Sequence, residues 1–179
     1  ALDGVEAMDV MVNMMREHVT QETRIHYVIT KGGEAPNVVP AFAEVYYYVR
    51  HPDRSEVKAV WERIVNAAKG AALGTDTRVE VEITGGVHDL LPNETLAKAM
   101  YANLKEVGGY TMNDEEKAFG VEIQKSFTGK VPSLSSTQEI EPYQLREGSA
   151  STDVGDVSWV VPTVGMSAAT WVPGTAAHS

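Results

Sequence analysis

Asn37 and Arg50, thirteen positions apart (50 − 37 = 13), are the residues best suited by type to grip a small anionic molecule. Asparagine carries a donor and an acceptor on one amide, and arginine carries a rigid fork of N–H donors that matches a carboxylate. Asn37 lies in Gly32-Gly33-Glu34-Ala35-Pro36-Asn37-Val38-Val39-Pro40, a stretch punctuated as a loop. Arg50 closes the run Ala41–Arg50, which Pro40 can enter only at its start. An Asx turn followed by a strand with a surface arginine has the same spacing, so spacing alone leaves both readings open.

Ser151-Thr152-Asp153-Val154-Gly155-Asp156 is a second cluster. Its two carboxylates, three residues apart, share a face if the segment is helical. Gly148 and Ser149 just ahead would leave backbone N–H groups free at a helix start, where an anion can sit. Plain helix capping by Ser151, Thr152 or Asp153 accounts for the same residues. His178 reads by itself as a tail histidine. A catalytic metal needs about three protein ligands, and no second His or carboxylate stands in local register with it. His26 and His88 read as structural histidines, and His18 and His51 as surface ones. Glu115-Glu116 falls in the first turn of an expected helix, where acids complement the macrodipole rather than form an acid–base couple. No GxSxG, P-loop, GxGxxG or HExxH pattern occurs.

The elements that must hold these residues follow from periodicity. Val5, Met8, Val12 and Met15 recur at helical steps, so the first 18 residues predict a helix with one apolar stripe. Its methionines are core filler rather than ligands. Arg24–Thr30 and Ala41–Arg50 alternate as strands. The second face of Ala41–Arg50 (Phe42, Glu44, Tyr46, Tyr48) is aromatic enough to expect a cover. A helix is expected from Pro52-Asp53 to near Gly70, a strand over Arg78–Thr84, and a helix from the Asn93 cap to Gly108. That order implies a βαββαβ sandwich whose first strand is not in the chain, which reads as a piece of a larger fold. Beyond it, Asn113 opens a short helix, Thr128–Gly148 is a long polar loop, and Val157–Met166 is apolar and rich in β-formers. The expected domains are residues 1–90 and 91–179.

Composition excludes several classes. With 15 basic and 25 acidic residues the formal charge is −10 and nothing basic is clustered in sequence, which argues against nucleic acid or an anionic membrane surface. Hydrophobic residues make up 43%, enough for a packed core. No run approaches the roughly 18 apolar residues of a membrane span. Cysteine is absent, which fits a reducing compartment, and a cytoplasmic protein is expected.

Together, the stretch from Ala1-Leu2-Asp3-Gly4-Val5-Glu6-Ala7 to Val49-Arg50 resembles the lid of zinc-dependent aminoacylases and carboxypeptidases. Within that family of metallo-amidohydrolases it is most similar to the aminobenzoyl-glutamate hydrolase type. The run Gly148–Trp159, followed by Pro173-Gly174-Thr175-Ala176-Ala177-His178-Ser179, resembles the end of the catalytic domain there. The resemblance implies an α+β chain: a βαββαβ two-layer lid, lacking its first strand, then the C-terminal portion of an α/β zinc-hydrolase domain. It implies Asn37, Arg50, Gly148 and Ser149 as substrate-binding residues, Asp153 and Asp156 supporting the pocket wall from behind, and His178 as the last metal ligand. It further implies two zinc ions, a homodimer paired through the lid, and hydrolysis of the amide bond of N-acyl or N-aroyl amino acids. The general base and the remaining ligands are expected ahead of Ala1, so the chain alone is expected to be inactive and to bind no metal. The competing expectation is a non-catalytic α+β dimerisation or interaction module.

Overall fold

The computed structural model describes residues 1–145 and 151–176. The chain is α+β and divides into two compact units, Ala1–Asp89 and Leu90–Ser179. The first contains α1 (Leu2–Met15), β1 (Arg24–Lys31), β2 (Glu44–Arg50) and α2 (Arg54–Gly74). The strands form an antiparallel hairpin in which Arg24 pairs with Arg50, Ile25 with Val49, His26 with Tyr48 and Tyr27 with Tyr47. A register shift between Ile29 and Lys31 precedes the loop. Gly33, at φ 107°, makes the turn out of β1 with a conformation that L side chains rarely adopt.

Both helices pack on one face of this hairpin. Val12 from the α1 stripe, Ile25 from β1, and Val60 and Ile64 from α2 form the buried core. Met8, Met15, Tyr47 and Val49 close around it. The methionines are thus packing residues, as their spacing requires. α2 starts at the Asp53 cap, whose carboxylate accepts from the Ser55 amide at 2.7 Å. It runs one turn beyond the expected end at Gly70. Ala71 and Ala72 are strong helix formers and are buried, which outweighs the cost of one glycine in the helix.

Among the described residues, two expected strands are absent. Arg78–Thr84 forms no ladder, although it alternates, and its Val79, Val81 and Ile83 are exposed. A strand exists by pairing its backbone groups, and no neighbour reaches this segment's edge among the described residues. A side-chain hydrogen bond between the Tyr46 and Thr84 hydroxyls, 3.2 Å, ties it to the hairpin. Val157–Met166 likewise contains no strand. Val157 and Ser158 end a short helix, and Pro162 breaks the run that follows.

The second unit contains α3 (Glu94–Val107), α4 (Asp114–Gln124) and α5 (Val154–Ser158). Asn93 caps α3 and Asn113 caps α4, each through its side-chain oxygen. Glu116 returns the bond to the Asn113 amide, completing a capping box. Its carboxyl is held below the usual range first by a hydrogen bond from Tyr110 and then by that amide. Among the described residues of this unit no large apolar side chain is buried, while Phe119, Trp159, Val160 and Trp171 are exposed.

Candidate functional site

The hairpin sets the geometry of the candidate residues. Its helix-free face presents Arg24 opposite Arg50, His26 opposite Tyr48 and Val28 opposite Tyr46. All six side chains are exposed, so the cover expected over the aromatic face is not supplied by the described residues. Tyr46 and Tyr48 pack edge to face, with ring centres 5.2 Å apart.

Asn37 is exposed in the loop between the strands, and Arg50 is exposed at the opposite end of β2. The six steps from Glu44 to Arg50 alone span about 20 Å. One hairpin therefore cannot bring both side chains to the same functional group. They can serve two different parts of a ligand.

Sequence reasoning missed the partner of Arg50. Arg24 stands thirteen residues before Asn37, as Arg50 stands thirteen after it (37 − 24 = 50 − 37 = 13), and the register brings the two arginines face to face. That mirror symmetry about the loop was the available signal. Arg24, His26 and Arg16 line a cleft of about 260 Å³ together with Thr20 and Thr23, and no carboxylate lines it. Arg24 is held by donating to the backbone carbonyl of Thr23 at 2.8 Å and to that of Gln21 at 2.5 Å. Arg16 donates to the Asn13 side chain at 3.0 Å. His26, expected as a structural histidine, is instead exposed, because even-numbered residues of β1 face away from the helices. His88 does fit that reading, since the Arg54 guanidinium contacts its ring. His18 is exposed, as expected of a surface histidine, and half-buried His51 accepts from the Asp53 amide at 2.8 Å.

Asp153 and Asp156 are exposed at the start of α5, one turn apart. Thr152 accepts from the Val154 amide at 3.2 Å, so the threonine and not Asp153 caps this short helix. Gly148, Ser149 and His178 lie outside the described residues. The described residues contain no group of three or more His, Asp or Glu arranged to hold a metal ion. No helix among them is long and apolar enough to cross a membrane.

Residues 3–76, which carry both helices, the hairpin and the loop, match the peptidase dimerisation domain. The whole chain is 37% identical over 205 aligned residues to one of the subunits of p-aminobenzoyl-glutamate hydrolase from Escherichia coli K12, covering 43% of that protein. The chain belongs to the M20 peptidase family. Its resemblance to aminobenzoyl-glutamate hydrolases thus holds across its full length. Another M20 relative, human Xaa-Arg dipeptidase, is 28% identical over 90% of this chain and 33% of its own length. A third, from Haemophilus influenzae, is a homolog of the other p-aminobenzoyl-glutamate hydrolase polypeptide. It is 32% identical over 42% of this chain and 18% of its own. The chain spans less than half the length of the curated relatives it matches.

Proposed function

We infer that this chain is part of a hydrolase that cleaves the amide bond of N-acyl or N-aroyl amino acids of the aminobenzoyl-glutamate type. The observation that carries the reading is the 37% identity across the entire chain to a hydrolase of that name, joined to a dimerisation-domain match over residues 3–76. Residues 1–90 act as the lid and dimerisation domain, and residues 91–179 as the C-terminal part of the catalytic domain. The lid is a βαββαβ sandwich. β1 and β2 are its inner hairpin, and Arg78–Thr84 is its outer strand, one strand's width beyond the free edge of β2. The side-chain bond between Tyr46 and Thr84, in place of a ladder, supports that spacing. The exposed apolar residues of the second unit support its being completed by further chain.

In this reading Arg50 binds the substrate carboxylate through its guanidinium fork, and the Asn37 amide donates to the oxygen that gains charge as the amide is attacked. Their separation along the hairpin supports two distinct roles. Gly148 and Ser149 line the substrate pocket, Asp153 and Asp156 stand behind that wall, and His178 is a metal ligand. The described residues do not by themselves fit a metal centre. Zinc and the general base belong, in this reading, to chain outside these 179 residues, and the isolated chain is inactive. The dimerisation domain pairs two copies of the enzyme.

Hydrolysis of aminobenzoyl-glutamate by the complete polypeptide, with and without chelator, tests the activity. Arg50→Ala should lower kcat/KM by roughly 10- to 150-fold, the range for losing a charged hydrogen bond. Unchanged kinetics would remove Arg50 from the site. A second reading, a non-catalytic interaction module, draws on the exposed face of Val28, Tyr46 and Tyr48. It predicts a stable dimer of the complete polypeptide with no amidase activity.

A further inference from the structure

The relatives differ in the charge of the amino acid that their names specify: glutamate for one, arginine for another. The cleft beside β1 bears on that choice, because Arg16, Arg24 and His26 line it and no acidic residue does. In a chain of formal charge −10, cationic lining without a carboxylate is a local reversal of sign. The register sharpens it. Arg24 and Arg50 are directly opposed across the hairpin, an arrangement that repels and weakens strand pairing. An anion between or beside them removes that repulsion. Arg24 is already oriented from behind by the carbonyls of Gln21 and Thr23, so less side-chain freedom is lost when it binds.

We propose that Arg24 is a specificity-determining residue. With Arg16 at the far wall of the cleft, it binds the side-chain carboxylate of an acidic amino acid whose α-carboxylate rests on Arg50. The assignment deepens the amidohydrolase reading above and rests on it for the role of Arg50. It makes the substrate an N-acylated dicarboxylic amino acid, and it excludes a cationic one, which the two arginines would repel.

Binding and turnover separate this assignment from that reading. L-Glutamate and its neutral isostere L-glutamine are titrated by calorimetry into the complete polypeptide, alongside hydrolysis of aminobenzoyl-glutamate and aminobenzoyl-glutamine. The wild-type protein should bind glutamate about tenfold or more tighter than glutamine. Arg24→Ala should bring that ratio close to one while leaving glutamine binding unchanged, and Arg24→Lys should restore part of it. Arg24→Gln keeps donors for the two carbonyls and reads the same ratio if the alanine variant does not fold. Equal affinities in the wild type, or an unchanged ratio in a folded Arg24 variant, overturns the assignment. A glutamate preference that Arg24 variants lose, without hydrolysis of either amide, keeps the assignment and discards the amidohydrolase. Hydrolysis of both amides at equal rates, with no binding preference, does the reverse.

Discussion

The hydroxyl of Tyr47 in β2 donates to the carboxylate of Asp9 in α1, and Asp9 is only 5% exposed. This bond ties the first helix to the hairpin at the edge of the apolar core. Burial, and secondarily the charge of Glu6, raise the Asp9 carboxyl above its ordinary value, and the Tyr47 bond offsets this in part. The Tyr47 phenol is itself pushed well up, chiefly by burial and then by its bond to Asp9. Tyr47→Phe leaves a buried acceptor without its donor and should cost about 1–3 kcal/mol in urea denaturation.

The same carboxylate makes stability depend on pH. Because its folded value lies above the unfolded one, folding favours the protonated form. The stability it contributes is full below the ordinary value of 3.8 and is lost as pH rises through the higher folded value. Measured from pH 7 down to pH 4, the stability difference between wild type and Asp9→Asn should therefore shift in favour of wild type. A difference that stays constant across that range would show that Asp9 titrates as it does in the unfolded chain.

Ile64 is 1% exposed and touches the α1 stripe and the hairpin through the shared core. Ile64→Ala should cost about 2–5 kcal/mol, from lost burial plus the cavity left behind. A thermal melt compared with Leu73→Ala, whose side chain is 86% exposed, isolates the core effect, since the surface change should fall within about 0.5 kcal/mol.

What was legible in the sequence is what neighbouring residues decide. The stripe Val5–Met15, the alternation of Arg24–Thr30, and the caps Asn93, Asp53 and Asn113 all act within a turn or a strand, and the structure contains each of those elements. Arg78–Thr84 has the same alternation but needs a partner edge, a property that belongs to another segment and not to its own residues. Val157–Met166 fails for the same reason. The arginine pair shows the limit for sites. Arg50 was identifiable from its spacing to Asn37, yet Arg24 emerged only when the register placed it opposite, and the cleft it lines draws also on residues of the α1–β1 connection.

Glycine contacts give a last prediction with opposite signs at two positions. A Cβ on Gly109 would lie 2.4 Å from the Gln138 carbonyl oxygen, which is backbone and cannot rotate away. The segments are held together there by the Tyr110 amide to the Thr137 carbonyl at 3.1 Å and the Thr137 hydroxyl to the Tyr110 carbonyl at 3.2 Å. Gly109→Ala must push them apart, at a cost of about 1–3 kcal/mol. Gly74, the last residue of α2, has nothing within 4 Å of its Cβ position and no positive φ. There alanine removes unfolded-state freedom and improves helix propensity, so Gly74→Ala should stabilise by about 0.4–1 kcal/mol. Amide exchange at Tyr110 reads the first change and a thermal melt the second. Unaltered exchange at Tyr110 in Gly109→Ala would mean that the two segments do not approach as closely as the backbone distance requires.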